Sequence, residues 1–292
     1  MSLVIKILSF LIFINLFSKA QSRLVLNLLL DKTEYLVAEQ IPVGIEVTNV
    51  SNNQIVDLIL PLNGVGCRFK LFDQYGNEID DNGFSITGDW AKYTVMPGGQ
   101  LFGIENIVDM FGDFISLATT FKKLEKGRYT LFAYYDGSYY NNKFDTCSTH
   151  ITFSIIEPSG EEANAFKMYY DIIWEARGGG TIKSTEELVT KLHDFEKKYP
   201  ASIYRPMVIV ILNAKYSCAI HNEEKANEML AELIRLFPDF TVTIEQGIIK
   251  YSLSKISEMT EKKLFIAKLR KVLRSEIGKR VLDQISKFEK IE

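Results

Sequence analysis

The chain has few of the residues from which metal centres, disulfide scaffolds and nucleic-acid grooves are built. Its 292 residues include 3 Cys, 3 His and 2 Trp. Three cysteines exclude a disulfide-dense miniprotein, and three histidines make a histidine-rich metal centre hard to assemble. Positive charge is not in excess either, since the formal net charge is −3. That balance argues against a partner held by bulk electrostatic attraction, so no nucleic acid is expected.

The remaining composition is that of an ordinary globular protein, with 47% hydrophobic and 24% charged residues. This balance excludes a disordered chain and a collagen-like repeat. Single hydrophobic cores rarely grow beyond about 250–300 residues, so the length of the chain suggests about two domains.

The first twenty residues have the pattern of a secretory signal peptide. A basic start precedes the almost wholly apolar residues 7–17, and the small residues Ser18 and Ala20 lead to a predicted cleavage before Gln21. The alternative is a membrane anchor, but the apolar run is shorter than the ~20 residues that a spanning helix needs. We therefore expect residues 1–20 to be removed from an exported protein that is periplasmic, on the cell surface or extracellular. No later run is long enough to form a transmembrane segment.

Residues 21–157 have the pattern of short strands joined by polar turns. Along residues 41–48, apolar side chains alternate with others at the two-residue period of a strand with one buried face. Many such strands without a long helix between them indicate an antiparallel β-sandwich. Residues 104–111 fit either an edge strand or a short helical turn. The predicted strands are residues 23–30, 41–48, 55–60, 67–72, 93–96, 129–135 and 151–156.

From residue 158 the period becomes helical, so residues 158–292 form a second predicted domain. Two capping boxes, at residues 159–162 and 184–187, place Ser at a helix start and Glu three residues later. A glycine run at residues 178–180 separates these two helices. Further helices are expected at residues 202–220, 223–237, 243–257, 260–274 and 276–289. The chain as a whole is expected to be a multidomain β plus α protein.

Two stretches of the first domain resemble bacterial immunoglobulin-like domains. The first is Leu-Asp-Lys-Thr-Glu-Tyr at residues 30–35, followed by residues 39–43 and by Val-Thr-Asn at residues 47–49. The second is a proline–glycine turn at residues 96–100 and a Gly-x-Tyr strand at residues 124–131. The resemblance implies an immunoglobulin-like β-sandwich for this domain. It implies no activity, because such sandwiches host many functions.

The helical domain contains an internal repeat. Residues 195–200, Phe-Glu-Lys-Lys-Tyr-Pro, recur as Leu-Ile-Arg-Leu-Phe-Pro at residues 233–238, an offset of 38. The pattern resembles the tetratricopeptide repeat, in which a small residue, apolar residues and a terminal proline recur in order. One unit carries Ala214, Ala226, Leu230, Leu233 and Pro238, and another carries Ala176, Leu188, Leu192, Phe195 and Pro200.

This second resemblance departs from the family in places. The family's aromatic residue in the first helix is missing or shifted, since Tyr216 is near that position but out of register. An irregular helical bundle is therefore the alternative. The resemblance implies an all-α tetratricopeptide-like array of two to three helical hairpins, whose concave face binds peptides or protein surfaces.

Two of the three cysteines are candidates for a disulfide. In an immunoglobulin-like topology, Cys67 and Cys147 would lie on strands that run in the same direction, toward one end of the sandwich. In the chain-entropy model, closing a loop of this length stabilises a fold by roughly 3–5 kcal/mol. The alternative is two thiols on strands separated by a neighbour, beyond bonding reach. Cys218, within a predicted helix, is expected to be a buried and inert thiol.

Four tyrosines surround the turn at residues 134–142. Strand alternation should bury one of Tyr134 and Tyr135 and expose the other, while Tyr139 and Tyr140 follow the turn. A tyrosine offers a flat apolar face and a hydroxyl, which suits contact with protein or sugar surfaces. Tyr135, Tyr139 and Tyr140 are therefore candidate binding residues. The alternative is that they pack within the sandwich or against the helices.

Positive charge is concentrated in the last predicted helices. Residues 262–290 hold ten basic and three acidic side chains, beside an apolar stripe. A basic amphipathic helix can meet an anionic membrane surface, a cell-surface polymer or an acidic protein. Lys268, Lys271 and Arg274 are the candidate binding residues here, and a solvated helix face is the alternative.

The sequence contains no motif typical of a catalytic, cofactor or metal site. His150, His193 and His221 do not cluster, no nucleophile motif occurs, and residues 80–83 have the composition of an ordinary turn. We therefore predict an exported, non-enzymatic interaction or scaffold protein with a protein or peptide partner, without cofactor or metal. The alternative function is a secreted protease inhibitor or a peptidase-accessory protein that acts through the sandwich loops.

Overall fold

A computed structural model describes residues 23–61, 67–79, 90–106, 124–136, 146–176, 182–244, 246–288 and 290–291. Among these residues, a region of ten strands precedes a region of eight helices. The strands are β1 (Leu24–Leu29), β2 (Glu34–Leu36), β3 (Pro42–Asn49), β4 (Val56–Pro61), β5 (Arg68–Phe72), β6 (Glu78–Ile79), β7 (Trp90–Val95), β8 (Gln100–Asn106), β9 (Gly127–Asp136) and β10 (Thr146–Ile156). The helices are α1 (Gly160–Trp174), α2 (Thr185–Lys198), α3 (Arg205–Cys218), α4 (Glu223–Leu236), α5 (Pro238–Thr243), α6 (Gln246–Lys255), α7 (Met259–Val272) and α8 (Glu276–Phe288).

The strands form a five-stranded sheet in the order β2-β10-β9-β5-β6, a three-stranded sheet in the order β1-β3-β8, and the pair β4-β7. Neighbouring strands are antiparallel, except that β2 runs parallel to β10. The sequence pattern misses the short strands β2 and β6. It leaves residues 104–111 undecided, and residues 104–106 of this stretch belong to strand β8.

The alternation predicted for β3 is confirmed. Ile41, Val43, Ile45 and Val47 are each 0% exposed, because one face of the three-stranded sheet packs toward the five-stranded sheet. The resulting core contains buried side chains from both sheets: Leu24, Leu26, Ile45 and Val47 on one side, and Ala133 and Tyr135 on the other.

The helical region has its own core, whose inner positions follow the helical period that the sequence predicts. Leu192, Phe195 and Leu233 are 0% exposed. The first residues after α2 and α4 repeat each other in backbone conformation: Tyr199 has φ −129° and ψ 60°, and Phe237 has φ −130° and ψ 55°. The internal repeat is therefore visible as the same helix ending, 38 residues apart. Ala176 and Ala214 are exposed, so they do not form the close helix crossing expected of them.

The two predicted capping boxes have different outcomes. Ser184 Oγ accepts a hydrogen bond from the Glu187 amide at 3.2 Å, as predicted. Ser159 forms no such bond, although α1 begins where expected. The Glu162 carboxylate points instead toward the start of α3, where it accepts bonds from Ser202 Oγ at 2.9 Å and from the Ile203 amide at 3.3 Å.

Helix α8 covers the outer face of the three-stranded sheet and adds a third layer there. Phe102 of β8 lies against this helix, and a side chain on Gly44 would come within 2.9 Å of the Phe102 ring, so a larger residue at this position would require the ring to shift. The Arg280 guanidinium forms an ion pair with Glu46 and lies 5.6 Å from the centroid of the Phe102 ring. Gln284 donates a hydrogen bond to the Phe102 carbonyl.

Two carboxylates hold the start of α8. Asp31, in the turn between β1 and β2, accepts bonds from the Ser275 hydroxyl and from the Glu276 amide at 3.1 Å. Asp239, in α5, accepts bonds from the Arg274 amide at 3.0 Å and from the Ser275 amide at 2.9 Å. The first amides of a helix have no partner within the helix and favour negative charge, so both carboxylates stabilise this end.

Candidate functional site

A cleft of about 600 Å³ lies where the strand region meets the helical region. The turn between β1 and β2 and the loop that leads into β3 form one wall. The loop before α3, the end of α4 with α5, and the α7–α8 junction form the other. A cavity of this size is in the range that suits a small ligand or a short peptide segment.

Much of the cleft lining is apolar and open to solvent. Val272 is 53% exposed and Ile203 is 36% exposed, and Phe237 and Phe240 are half-buried. Ala38, at the lip of the cleft, has a φ of 64°. Residues other than glycine rarely adopt this left-handed conformation, and it occurs often at binding sites.

Tyr204 ties the two walls of the cleft together. Its hydroxyl donates a 2.8 Å hydrogen bond to the Val37 carbonyl, and its ring stacks on Tyr169 with centroids 5.5 Å apart. Burial raises the pKa of this phenol far above its ordinary value, and the negative charge of Glu162 adds to the shift. The raised pKa keeps Tyr204 a neutral hydrogen-bond donor at neutral pH.

Tyr35, which also lines the cleft, differs from Tyr204. It is 2% exposed, its ring meets Phe153 edge-on, and the Lys32 ammonium lies 4.8 Å above it. Its hydroxyl is buried and has no hydrogen-bond partner among the described residues. Burial raises the pKa of the phenol strongly, the Lys32 amide opposes this shift, and the charges of Asp31 and Glu39 add to it. Tyr35, Asp31 and Glu39 all line the cleft.

The cleft carboxylates are already engaged. Asp31 and Asp239 cap α8, as described above. Glu39 forms an ion pair with Lys32 and accepts a 2.8 Å bond from the Leu36 amide. The guanidinium groups of Arg235 and Arg274 also line the cleft, and neither forms an ion pair with a described residue.

The predicted basic cluster is divided in the structure. Lys268 and Lys271 are exposed on α7 and do not line the cleft, whereas Arg274 does. Arg270 pairs with Asp283 on α8. Of the three predicted binding residues, the structure thus places only Arg274 at the candidate site.

Of the three candidate binding tyrosines, only Tyr135 is described, and its neighbour Tyr134 is half-buried. Tyr135 is 1% exposed in the core between the sheets, so it is a packing residue, and the prediction of Tyr135 as a binding residue is corrected. Tyr139 and Tyr140 lie outside the described residues, as do the acidic turn at 80–83, the glycines at 178–180 and residues 1–20.

The predicted disulfide does not fit the strand order. Cys147 on β10 pairs with Tyr135 on β9, and the register of β5 with β9 places Cys67 opposite the same tyrosine. Two strand spacings separate the cysteines by about 10 Å, beyond the ~7 Å limit for Cα atoms joined by a disulfide. No disulfide joins them in the structure. Cys218 ends α3 and is exposed, so the prediction that it is buried is also corrected.

A polar network that the sequence pattern does not reveal joins three helices. His193 contacts Glu196 at 3.1 Å and the Tyr216 hydroxyl at 2.8 Å, and Arg205 bridges Glu196 to Glu232. The partners lie on α2, α3 and α4, so the network holds these helices in register. Across the described residues, no three His, Cys, Asp or Glu side chains come together in a way that could hold a metal ion.

No protein-family model matches the chain, and no curated protein matches it. Some solved structures are similar at low identity. An alkylpurine DNA glycosylase, AlkC, from Pseudomonas fluorescens is 10% identical over 46% of this chain and 30% of its own, with a TM-score of 0.27. The sporulation control protein Spo0M from Bacillus subtilis is 12% identical over 51% of this chain and 55% of its own, with a TM-score of 0.27.

A β-glucosidase from Listeria innocua is 11% identical over 46% of this chain and 16% of its own, with a TM-score of 0.27. The chain thus spans little more than half of one of these proteins and less than a third of the other two. Similarity at this level carries no argument about function. Separately, none of the described helices is both long and apolar enough to cross a membrane.

Proposed function

We propose that this chain is an exported, non-catalytic interaction protein whose cleft holds a short segment of a protein partner. The observation that carries the proposal is the cleft itself, which lies between two regions fixed together on both sides of it. Exposed apolar side chains that face a concave surface are typical of binding sites. Export is part of the proposal because of the signal-peptide pattern in residues 1–20.

In this proposal the strand region is an immunoglobulin-like sandwich and the helical region is a tetratricopeptide-like array. The first assignment is supported by two facing sheets with a parallel β2–β10 pair. The second is supported by the repeated helix endings at Tyr199 and Phe237. Both architectures commonly present binding surfaces without catalysis.

Site-specific photo-crosslinking in the cells that make the protein tests the proposal. A photoreactive amino acid replaces Ile203, which is 36% exposed in the cleft, or Tyr75, which is 80% exposed and outside it. We expect one partner to be joined reproducibly from position 203 and not from position 75. No product from position 203, or the same products from both positions, would contradict the proposal.

A further inference from the structure

We infer that the cleft selects a peptide segment that carries a carboxylate next to an apolar side chain. This inference rests on the proposed function and adds the chemistry of the ligand. It combines two arginines without an ion pair among the described residues and the placement of exposed apolar side chains.

The first step is to identify the charged side chains of the cleft that remain available to a ligand. Asp31, Glu39 and Asp239 are each occupied by amides, a hydroxyl or Lys32. Arg235 and Arg274 line the same cleft and pair with no carboxylate of the described chain. The groups free to meet a ligand are therefore positive, although the strand region as a whole is acidic. A guanidinium binds a carboxylate through two parallel hydrogen bonds, which makes it a specific partner for that group.

The second step is which of these groups a ligand can reach. The Tyr35 hydroxyl is buried, so a ligand in the open cleft does not contact it. Arg235 and Arg274 are exposed and line the cleft, so they are the groups that meet the side-chain or terminal carboxylate.

The third step is the apolar surface beside the arginines. Val272 precedes Arg274 by two residues and is 53% exposed, and Ile203, 36% exposed, lies on the same helical wall of the cleft. An apolar ligand side chain that covers them would remove this surface from water. A carboxylate beside an apolar residue along an extended peptide would meet both features together.

Binding of two matched peptides to the full-length protein tests the inference. One fluorescent octapeptide alternates Glu and Leu, and its control replaces every Glu with Gln. We expect the Glu peptide to bind at least about tenfold more tightly by fluorescence anisotropy, because it gains charge-assisted hydrogen bonds. The preference should shrink as salt is added.

Matched variants locate the effect. The double variant Arg235→Gln/Arg274→Gln should abolish the preference for the Glu peptide. Lys197→Gln/Lys250→Gln removes two exposed positive charges outside the cleft and should leave the preference intact. Tyr35→Phe should leave the binding of both peptides unchanged, because the buried hydroxyl does not contact the ligand. Circular dichroism checks that each variant is folded.

The outcomes separate this inference from the proposed function. Equal binding of the two peptides, or equal losses in the two double variants, would overturn the selectivity and leave the proposed function standing. Binding of neither peptide, with a partner still crosslinked from position 203, would show a ligand of another class and also overturn the inference. Loss of the crosslink itself would refute the proposed function.

Discussion

The junction between the strands and the helices has two parts that differ in how their polar groups are paired. In the closed part, α8 lies on β3 and β8, where Arg280 meets Glu46 and Gln284 meets the Phe102 carbonyl. In the open part, which is the cleft, the Tyr35 hydroxyl and the guanidinium groups of Arg235 and Arg274 have no such partners among the residues that the structure describes. The junction therefore joins the two regions in its closed part and exposes the candidate binding surface in its open part.

The difference between the two parts explains how the cleft can stay open. An open cleft between two domains ordinarily closes or shifts when the domains move. Here the closed part and the Tyr204–Val37 bond fix both walls. A ligand would then bind without a large ordering cost, which is the advantage of a preformed site.

The largest effect is expected from truncating a side chain in the closed part. Leu282 on α8 is 0% exposed, so Leu282→Ala should lower the free energy of unfolding by about 2–5 kcal/mol. Val272→Ala, in the open part, removes a half-exposed side chain and should change it by less than about 0.5 kcal/mol. Denaturant unfolding measures both variants. Similar losses would remove the distinction between the two parts.

High pH should destabilise the junction through its two buried tyrosines. The pKa values of Tyr35 and Tyr204 are raised in the folded state, whereas an unfolded tyrosine ionises near pH 10.0. Above that pH the folded state thus holds more protons than the unfolded state. The free energy of unfolding therefore falls as the pH rises above the unfolded value, by up to roughly 1.4 kcal/mol per pH unit for each tyrosine.

Unfolding in denaturant at about pH 9 and about pH 11 measures this dependence. The variant Tyr35→Phe/Tyr204→Phe provides the control, because it cannot ionise at either position. Its stability should fall less steeply with pH than that of the natural chain. Parallel curves for the two proteins would contradict the assignment.

At neutral pH, removing the hydroxyl should change stability differently for Tyr204 and for Tyr35. Tyr204→Phe leaves the Val37 carbonyl without its donor and should cost about 1–2 kcal/mol of stability. Tyr35→Phe removes a hydroxyl that has no hydrogen-bond partner in the described part of the chain, so its effect should be neutral or stabilising. Thermal and denaturant unfolding of the two single variants compare them directly. A loss at Tyr35 as large as that at Tyr204 would mean that Tyr35 is paired in solution.

No stability change is expected from reductant. Strand β9 lies between Cys67 and Cys147, which are both outside the junction. Thiol titration in denaturant should give the same count with and without prior reduction, and the midpoint of unfolding should not move. A lower count without reductant would show that the cysteines are bonded and that the strand order differs.

The sequence predicts features that depend on local pattern. The β3 alternation and the Ser184 cap involve residues within a few positions of each other, so periodicity and capping chemistry are sufficient. The start of α1 is predicted too, but the role of Glu162 is not, because its partner Ser202 is 40 residues away.

Only single residues of the cleft, and not the cleft itself, could be predicted from the sequence. Arg274 is a predicted binding residue, chosen for its charge, but nothing local indicates that it shares a cavity with Tyr35. Their proximity depends on how the strand region and the helical region pack together, and no repeat or periodic pattern in the sequence indicates it. Tyr135 gives a second example: its side chain is of a type that suits binding, but its position in strand β9 buries it.

The Asp31 contacts with α8 have a consequence for the kinetics of folding. They join residues 244 to 246 positions apart, so most of the chain must be in place before they form. Contacts of such separation form late, because loop closure must precede them. Asp31→Ala should therefore speed unfolding while leaving the folding rate nearly unchanged, which stopped-flow measurements can resolve.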